Sequence, residues 1–172
     1  MGSHLTQVLG APELLALHHI VAGFDSGVET LDAWFKRRAM ANQVSGASRT
    51  FVVCDQTHVV GFYALASSAI APASAPGHFR RNMPDPIPVV VLARLAVART
   101  HHRKGLGRAL FQDAARRVVN AADTIGIRGL IVHAISEQAR CFYLQLGIDE
   151  SPLAPMTLMV SVADLRAAAN LR

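Results

Sequence analysis

The chain reads as one mixed α/β domain: a central twisted mixed sheet flanked by helices. Three observations predict this. Two β-rich runs, Arg49 to Cys54 and Val59 to Ala66, are joined by the short polar link Asp55-Gln56-Thr57-His58, and after them strands alternate with helical segments. An apolar strand, Val89 to Val97, passes through a glycine-rich turn straight into an amphipathic helix. The 172 residues are 51% hydrophobic and 17% charged, which suits a single buried core.

The elements follow in order. Met1-Gly2-Ser3-His4 looks like a cloning remnant and is set aside, leaving one domain over residues 5–172. After Asp25-Ser26-Gly27, the residues Val28, Leu31, Trp34, Phe35 and Ala39 form an apolar stripe at helical spacing. That helix should run to about Val44, with Lys36, Arg37 and Arg38 in its middle, and Ser45-Gly46-Ala47-Ser48 should break it. The hairpin comes next. Ser67 to Pro88 holds most of the eight prolines and reads as irregular, and so long a loop in a compact domain is usually functional. Val89 to Val97 is a strand, apolar but for Arg94. Arg108 to about Asp123 is a helix, Gly129 to Ile135 a strand, and Ser136 the N-cap of a helix through Leu146 that Gly147 ends. Thr157 to Val162 is the last strand, and Ala163 to Asn170 a short helix or tail.

No apolar run reaches membrane-spanning length, so no membrane role is expected. Two cysteines make no disulfide framework; Cys54 and Cys141 read as buried thiols in a reducing cytoplasm. Net charge is +5, but the distribution says more. From Lys36 to Arg108 eleven basic residues face only Asp55 and Asp85, a balance of +9, while the rest of the chain is net negative. Such asymmetry points to a polyanionic partner. A solvated surface with its charges scattered over several faces would give the same count.

The stretch His102-Arg103-Lys104-Gly105-Leu106-Gly107-Arg108 carries the most chemistry. A glycine turn between strand and helix leaves backbone N–H groups unpaired and pointing one way, and the helix dipole adds positive potential. Gly105 and Gly107 let a ligand approach the backbone, and Arg103, Lys104 and Arg108 suit phosphates. No G-x-x-x-x-G-K-[ST] is present, and the dinucleotide spacing fails after Gly107. Incidental glycines ahead of a helix would look similar.

The turn resembles the [QR]-x-x-G-x-[GA] turn of the GNAT acetyltransferases, with His102 in place of the usual Gln or Arg. Cys141-Phe142-Tyr143-Leu144-Gln145-Leu146-Gly147 resembles that family's A-x-x-F-Y-x-x-x-G-F segment, departing at Cys141 and Ile148. The resemblance implies a single GNAT-like domain with acetyl-CoA as co-substrate and no metal. It places the pyrophosphate on Arg103, Lys104, Gly105, Gly107 and Arg108, and the pantetheine arm against Leu95, Ala96 and Val97. Tyr143 becomes the general acid, protonating the departing thiolate; on its own, Phe142-Tyr143 would read as core packing.

The segments Gly23-Phe24-Asp25-Ser26-Gly27, Leu31-Asp32-x-Trp34, Arg80 to Pro88 and Leu130-Ile131-Val132-His133-Ala134-Ile135-Ser136 narrow the resemblance to the GNAT toxins of bacterial toxin–antitoxin pairs. It spans Phe24 to Val160. By that resemblance the substrate is the α-amine of aminoacyl-tRNA, blocked so that translation stops. The implied partners are a second copy, a small ribbon–helix–helix antitoxin, and operator DNA through the antitoxin only. Lys36, Arg37, Arg38, Arg80, Arg81 and Arg94 are the expected tRNA-binding residues, with an ion pair to Asp85 or another acid as the other reading of Arg94.

One absence agrees independently. No Asp or Glu lies in Val59 to Pro84 or in Val89 to Val97, where an amine acetyltransferase often keeps its base. At pH 7 a lysine amine of pKa about 10.4 is under about a thousandth neutral, whereas an α-amine of about 7.7–8.0 is roughly a tenth neutral. A site without a carboxylate therefore suits an α-amine. His133 offers a base at a strand end, a satisfied core histidine being the plainer reading. The other functional readings are acetylation of a protein N-terminus or small amine, a non-catalytic acyl-CoA-binding module, and a DNA-binding protein, for which no recognition motif is found.

Overall fold

The computed structural model describes residues 9–170. The remnant expected at residues 1–4 lies outside them. A seven-stranded mixed sheet runs in the order β1-β2-β3-β4-β5-β7-β6. Its strands are β1 (Glu13–Leu14), β2 (Arg49–Asp55), β3 (His58–Ile70), β4 (Ile87–Val97), β5 (Gly129–His133), β6 (Asp149–Glu150) and β7 (Thr157–Ser161). The helices are α1 (Glu29–Arg37), α2 (Ala39–Ser45), α3 (Gly77–Arg80), α4 (Leu106–Ala122), α5 (Glu137–Gln145) and α6 (Val162–Asn170).

Only β4 and β5 pair in parallel; the other neighbours are antiparallel. The parallel step forces a crossover, and α4 supplies it. Phe62 of β3 stacks on Phe35 of α1, ring centroids 4.1 Å apart, and stacks on Trp34 as well. The neighbouring Tyr63 points to the other face. Its hydroxyl donates to Asp113 of α4, and Arg117 Nε donates to the same hydroxyl at 2.9 Å. Arg117 also lies 3.9 Å over the Phe51 ring and reaches the Pro12 carbonyl at 3.0 Å. A buried carboxylate costs stability unless paired, so this network both neutralises Asp113 and fixes α4 on the sheet.

Several boundaries differ from expectation. The helix expected to run unbroken to Val44 is two helices, because Arg38 leaves helical geometry (φ −120°) between them. The segment 67–88 is far from irregular. Residues 67–70 extend β3, Pro72–Ser74 form a 3-10 turn, and α3 follows. Phe79 holds α3 down. It is fully buried with Ile87, Val89, Ile131 and Met159, worth roughly 1.5–3 kcal/mol of transfer free energy. Arg128 then ties the segment through bonds to the Phe79 and His78 carbonyls, both 2.7 Å. The glycine-turn helix starts at Leu106, two residues early, and β5 stops at His133 instead of Ile135. Ser136 is the N-cap of α5, accepting from the Ala139 amide at 3.1 Å. Cys54 is half-buried in β2, but Cys141 is exposed on α5, 3.8 Å from Glu137, which corrects the expectation of two buried thiols. Among the described residues no helix is long and apolar enough to cross a membrane.

Candidate active site

The site begins where two strands part. β4 pairs with β5 only from Val89 to Leu92, yet β4 continues along β3 to Val97. A register shift marks the parting: Ala64 faces Arg94 and Leu65 faces Leu92, so Ala93 bulges out. Leu95, Ala96 and Val97 therefore have β3 on one side and no strand on the other. Alternate residues of such a stretch turn their N–H and C=O toward the open side, which leaves main chain free to pair with an extended ligand.

The glycine turn closes one end of this wedge. Arg103 (φ 60°) and Gly105 (φ 77°) both adopt left-handed backbone, so the chain folds back sharply into α4. The helix has no side-chain cap, and the amides from Arg103 through Arg108 donate to no described residue. A Cβ at Gly107 would lie 3.5 Å from Phe142, an ordinary van der Waals contact. The fold itself does not demand glycine at 107, whereas a ligand at the amides would. Arg103, Lys104 and Arg108 are exposed around the turn, and Arg108 also borders the cleft between α4 and α6. The departure at His102 has a local explanation. Its Nε2 donates to the Val97 carbonyl at 2.7 Å and braces the turn against the strand end.

Across the wedge sits Tyr143 on α5, buried and packed against Phe111 and Phe142 at 6.2 and 5.1 Å. Burial pushes its phenol well above the ordinary value, so it stays protonated through the physiological range. A small cavity of about 60 Å³ joins Tyr143 to Leu92, Arg94 and Leu95 of β4, to His133 and Ile135, and to Leu31 of α1. No carboxylate among the described residues lines it. Arg94 is not ion-paired to Asp85 or to any acid among the described residues. Its guanidinium stacks 5.0 Å over Trp34 and donates to the Ala93 carbonyl at 2.8 Å. His133 is exposed, not a core histidine, and its Nδ1 lies 3.0 Å from Thr157 Oγ1. Thr157 had no motif to mark it in the sequence, and the Leu31-Asp32-x-Trp34 segment gave no sign that Trp34 holds Arg94.

The nominated cations fall in three places. Arg94 is in the cavity. Lys36 and Arg37 end α1, where they also complement its dipole, and Arg38 follows them, all three exposed. Lys36 and Arg37 share a cleft of about 600 Å³ with Asp25, Glu29 and Asp32, so that cleft is of mixed sign. Arg80 and Arg81 are exposed beside the start of β4, the end away from the glycine turn.

Glu13, His19 and Cys54 bring metal-ligand atoms within 4.8 Å of one another at the β1–β2 edge. Their bonding opposes a metal. The Ala16 amide donates to His19 Nδ1 at 2.9 Å, so Nε2 carries the hydrogen and gives it to Glu13 at 2.7 Å. Ligation through Nε2 would put two donors face to face at Nδ1.

Comparison with known proteins agrees with this geometry. Residues 46–147 match the model of the acetyltransferase (GNAT) domain. The chain belongs to the GNAT acetyltransferases. It is 49% identical over 157 residues to the tRNA-acetylating toxin of Mycobacterium tuberculosis, covering 91% of this chain and 95% of that protein. The solved structure of AtaT complexed with acetyl-methionyl-tRNAfMet superposes with a TM-score of 0.85 at 26% identity, over 92% of this chain and 98% of AtaT. A Tyr-to-Phe mutant of the AtaT toxin, bound to the C-terminus of the antitoxin AtaR, gives 0.84 at 25% identity, over 96% and 99%.

Proposed function

We propose that this GNAT enzyme moves the acetyl group of acetyl-CoA to the α-amine of aminoacyl-tRNA. It would thereby act as the translation-blocking toxin of a toxin–antitoxin pair in the cytoplasm. One observation carries the reading: the cavity at the parted strands holds an arginine, a histidine and a protonated phenol, with no carboxylate among the described residues. Such a site fits an amine that is already partly neutral, in a substrate whose backbone is anionic. The 49% identity to a tRNA-acetylating toxin supports it.

The residues divide the work as follows. The amides of 103–108, with Arg103, Lys104 and Arg108, hold the pyrophosphate. Leu95, Ala96 and Val97 pair with the pantetheine arm through main chain, which sets the thioester beside Tyr143. Arg94, held flat by Trp34, receives the acceptor end of the tRNA. The amine nitrogen attacks the thioester carbonyl, the C–S bond breaks, and Tyr143 gives its proton to the leaving sulfur. Lys36, Arg37, Arg38, Arg80 and Arg81 bind tRNA phosphates further out. The working unit is a homodimer, silenced by a ribbon–helix–helix antitoxin that alone contacts operator DNA.

The mixed-sign cleft beside α1 favours a second reading, transfer to a protein N-terminus or small amine. One experiment separates them: transfer of labelled acetyl from acetyl-CoA to bulk charged tRNA, with a lysine-rich protein and free amines in competition. Label on charged tRNA supports the first reading, and label confined to protein or free amine supports the second.

A further inference from the structure

His133 ends β5 at the rim of the cavity that also holds Arg94 and Tyr143. Its Nδ1 is bonded to Thr157 of β7, the residue it faces across the sheet, while Nε2 has no partner among the described residues. One side of the ring is therefore anchored, and the residue lines the cavity. Thr157 Oγ1 can accept from Nδ1–H; in that tautomer the Nε2 lone pair is the only basic site among the described residues of the cavity wall. The other charged or titratable groups lining the cavity are Arg94 from β4 and Tyr143 from α5; α1 contributes only Leu31. Arg94 has no neutral form to offer, and burial keeps Tyr143 protonated.

We infer that His133 is the general base that takes the ammonium proton of the bound amine, and that Thr157 is a positioning residue that sets its tautomer. This rests on the proposed α-amine chemistry. The step balances as follows. One ammonium proton passes to His133 Nε2, and the neutral nitrogen attacks the thioester carbon. As the C–S bond breaks, the thiolate takes the Tyr143 proton. The surplus proton on the new amide nitrogen restores the phenol, and His133 releases its proton to water. The net products are the amide, CoA thiol and one proton.

A base that accepts the proton within the complex lets the enzyme use the abundant ammonium form. Without it, only amine already neutral in solution reacts. For an α-amine of pKa about 7–8, allowing for the ester, that fraction is about one to about ten per cent at pH 6 and most of the material at pH 8.5.

The test is single-turnover acetylation of charged tRNA at saturating acetyl-CoA, comparing wild type, His133→Gln and Thr157→Val at pH 6 and pH 8.5. His133→Gln should be slower by about three- to twenty-fold at pH 6 and by less than about two-fold at pH 8.5. Thr157→Val should show a smaller loss with the same pH trend. Calorimetric titration with acetyl-CoA verifies that each variant keeps a folded donor site. An equal loss at both pH values, or none, overturns the assignment. Wild type inactive on charged tRNA at both pH values would instead overturn the α-amine reading beneath it.

Discussion

Replacing Gly107 with glutamate should remove most of the affinity for acetyl-CoA and leave the fold intact. Gly107 lies in the first turn of α4 with ordinary helical φ. A Cβ there meets Phe142 at 3.5 and 3.7 Å and Val97 at 3.8 Å, all normal van der Waals contacts. Glycine costs a helix interior up to about 1 kcal/mol against most residues, and an acidic group in the first turn is favoured by the dipole. Folding stability should therefore hold or rise slightly. At the ligand the sign reverses. A carboxylate about 4–5 Å from a phosphate repels it by roughly 3–4 kcal/mol at an effective dielectric constant of about 20. Solvent at this half-buried position trims that to about 2–3 kcal/mol, or a Kd weakened by about 30- to 150-fold. Calorimetric titration at low salt measures the affinity, thermal melting the stability, and Gly107→Ala controls for bulk. Unchanged affinity in Gly107→Glu would refute pyrophosphate binding at this turn. So would an affinity loss that merely tracks a fallen Tm.

Tyr143→Phe keeps the ring contacts and removes the proton, so turnover on charged tRNA should fall by about 10²–10⁴-fold with acetyl-CoA affinity nearly intact; a full-rate variant would exclude the general-acid role. Removing Arg80 and Arg81 together should weaken charged-tRNA binding and flatten its logarithmic salt dependence by up to about one unit per lost phosphate contact, with acetyl-CoA affinity unchanged; wild-type tRNA binding at every salt concentration would move the tRNA surface elsewhere. Burial raises the phenols of Tyr63 and Tyr143 above their unfolded value of about 10. The stability linked to them is then fully present below pH 10 and lost as pH rises beyond it. Melting followed from pH 9 to 11 should show that decline, and Tyr63→Phe should lessen it.

What was legible in the sequence was whatever a contiguous run could encode. The strand, glycine turn and helix from Val89 onward declared themselves because a nearly unbroken apolar run, two glycines and an amphipathic stripe follow one another without a gap. Tyr143 was legible through its fixed spacing from that turn. The helix at Gly77–Arg80 was not, because four residues beside prolines carry no periodicity; burial of Phe79 and two bonds from distant Arg128 make it. The two-residue strands β1 and β6 are likewise set by their neighbours in the sheet. Arg94 was visible as a lone charge in an apolar strand, but what holds it was not: an aromatic ring on α1 does, and no acid among the described residues. His133 sits at the end of the apolar run Gly129 to Val132, which suggests burial, yet β5 stops at it and leaves the ring exposed at the cavity. Sequence spacing cannot report that boundary, since pairing with β7 decides it.

The proposed acceptor of the acetyl group is the α-amine of an amino acid esterified to tRNA. Its most direct test is to react the enzyme with acetyl-CoA and charged tRNA, digest with ribonuclease, and weigh the released aminoacyl-adenosine. Aminoacyl-adenosine should carry one acetyl group on its α-nitrogen, and uncharged tRNA should yield no acetylated product. Acetyl found on nucleobases, on uncharged tRNA or only on protein lysines would contradict this assignment.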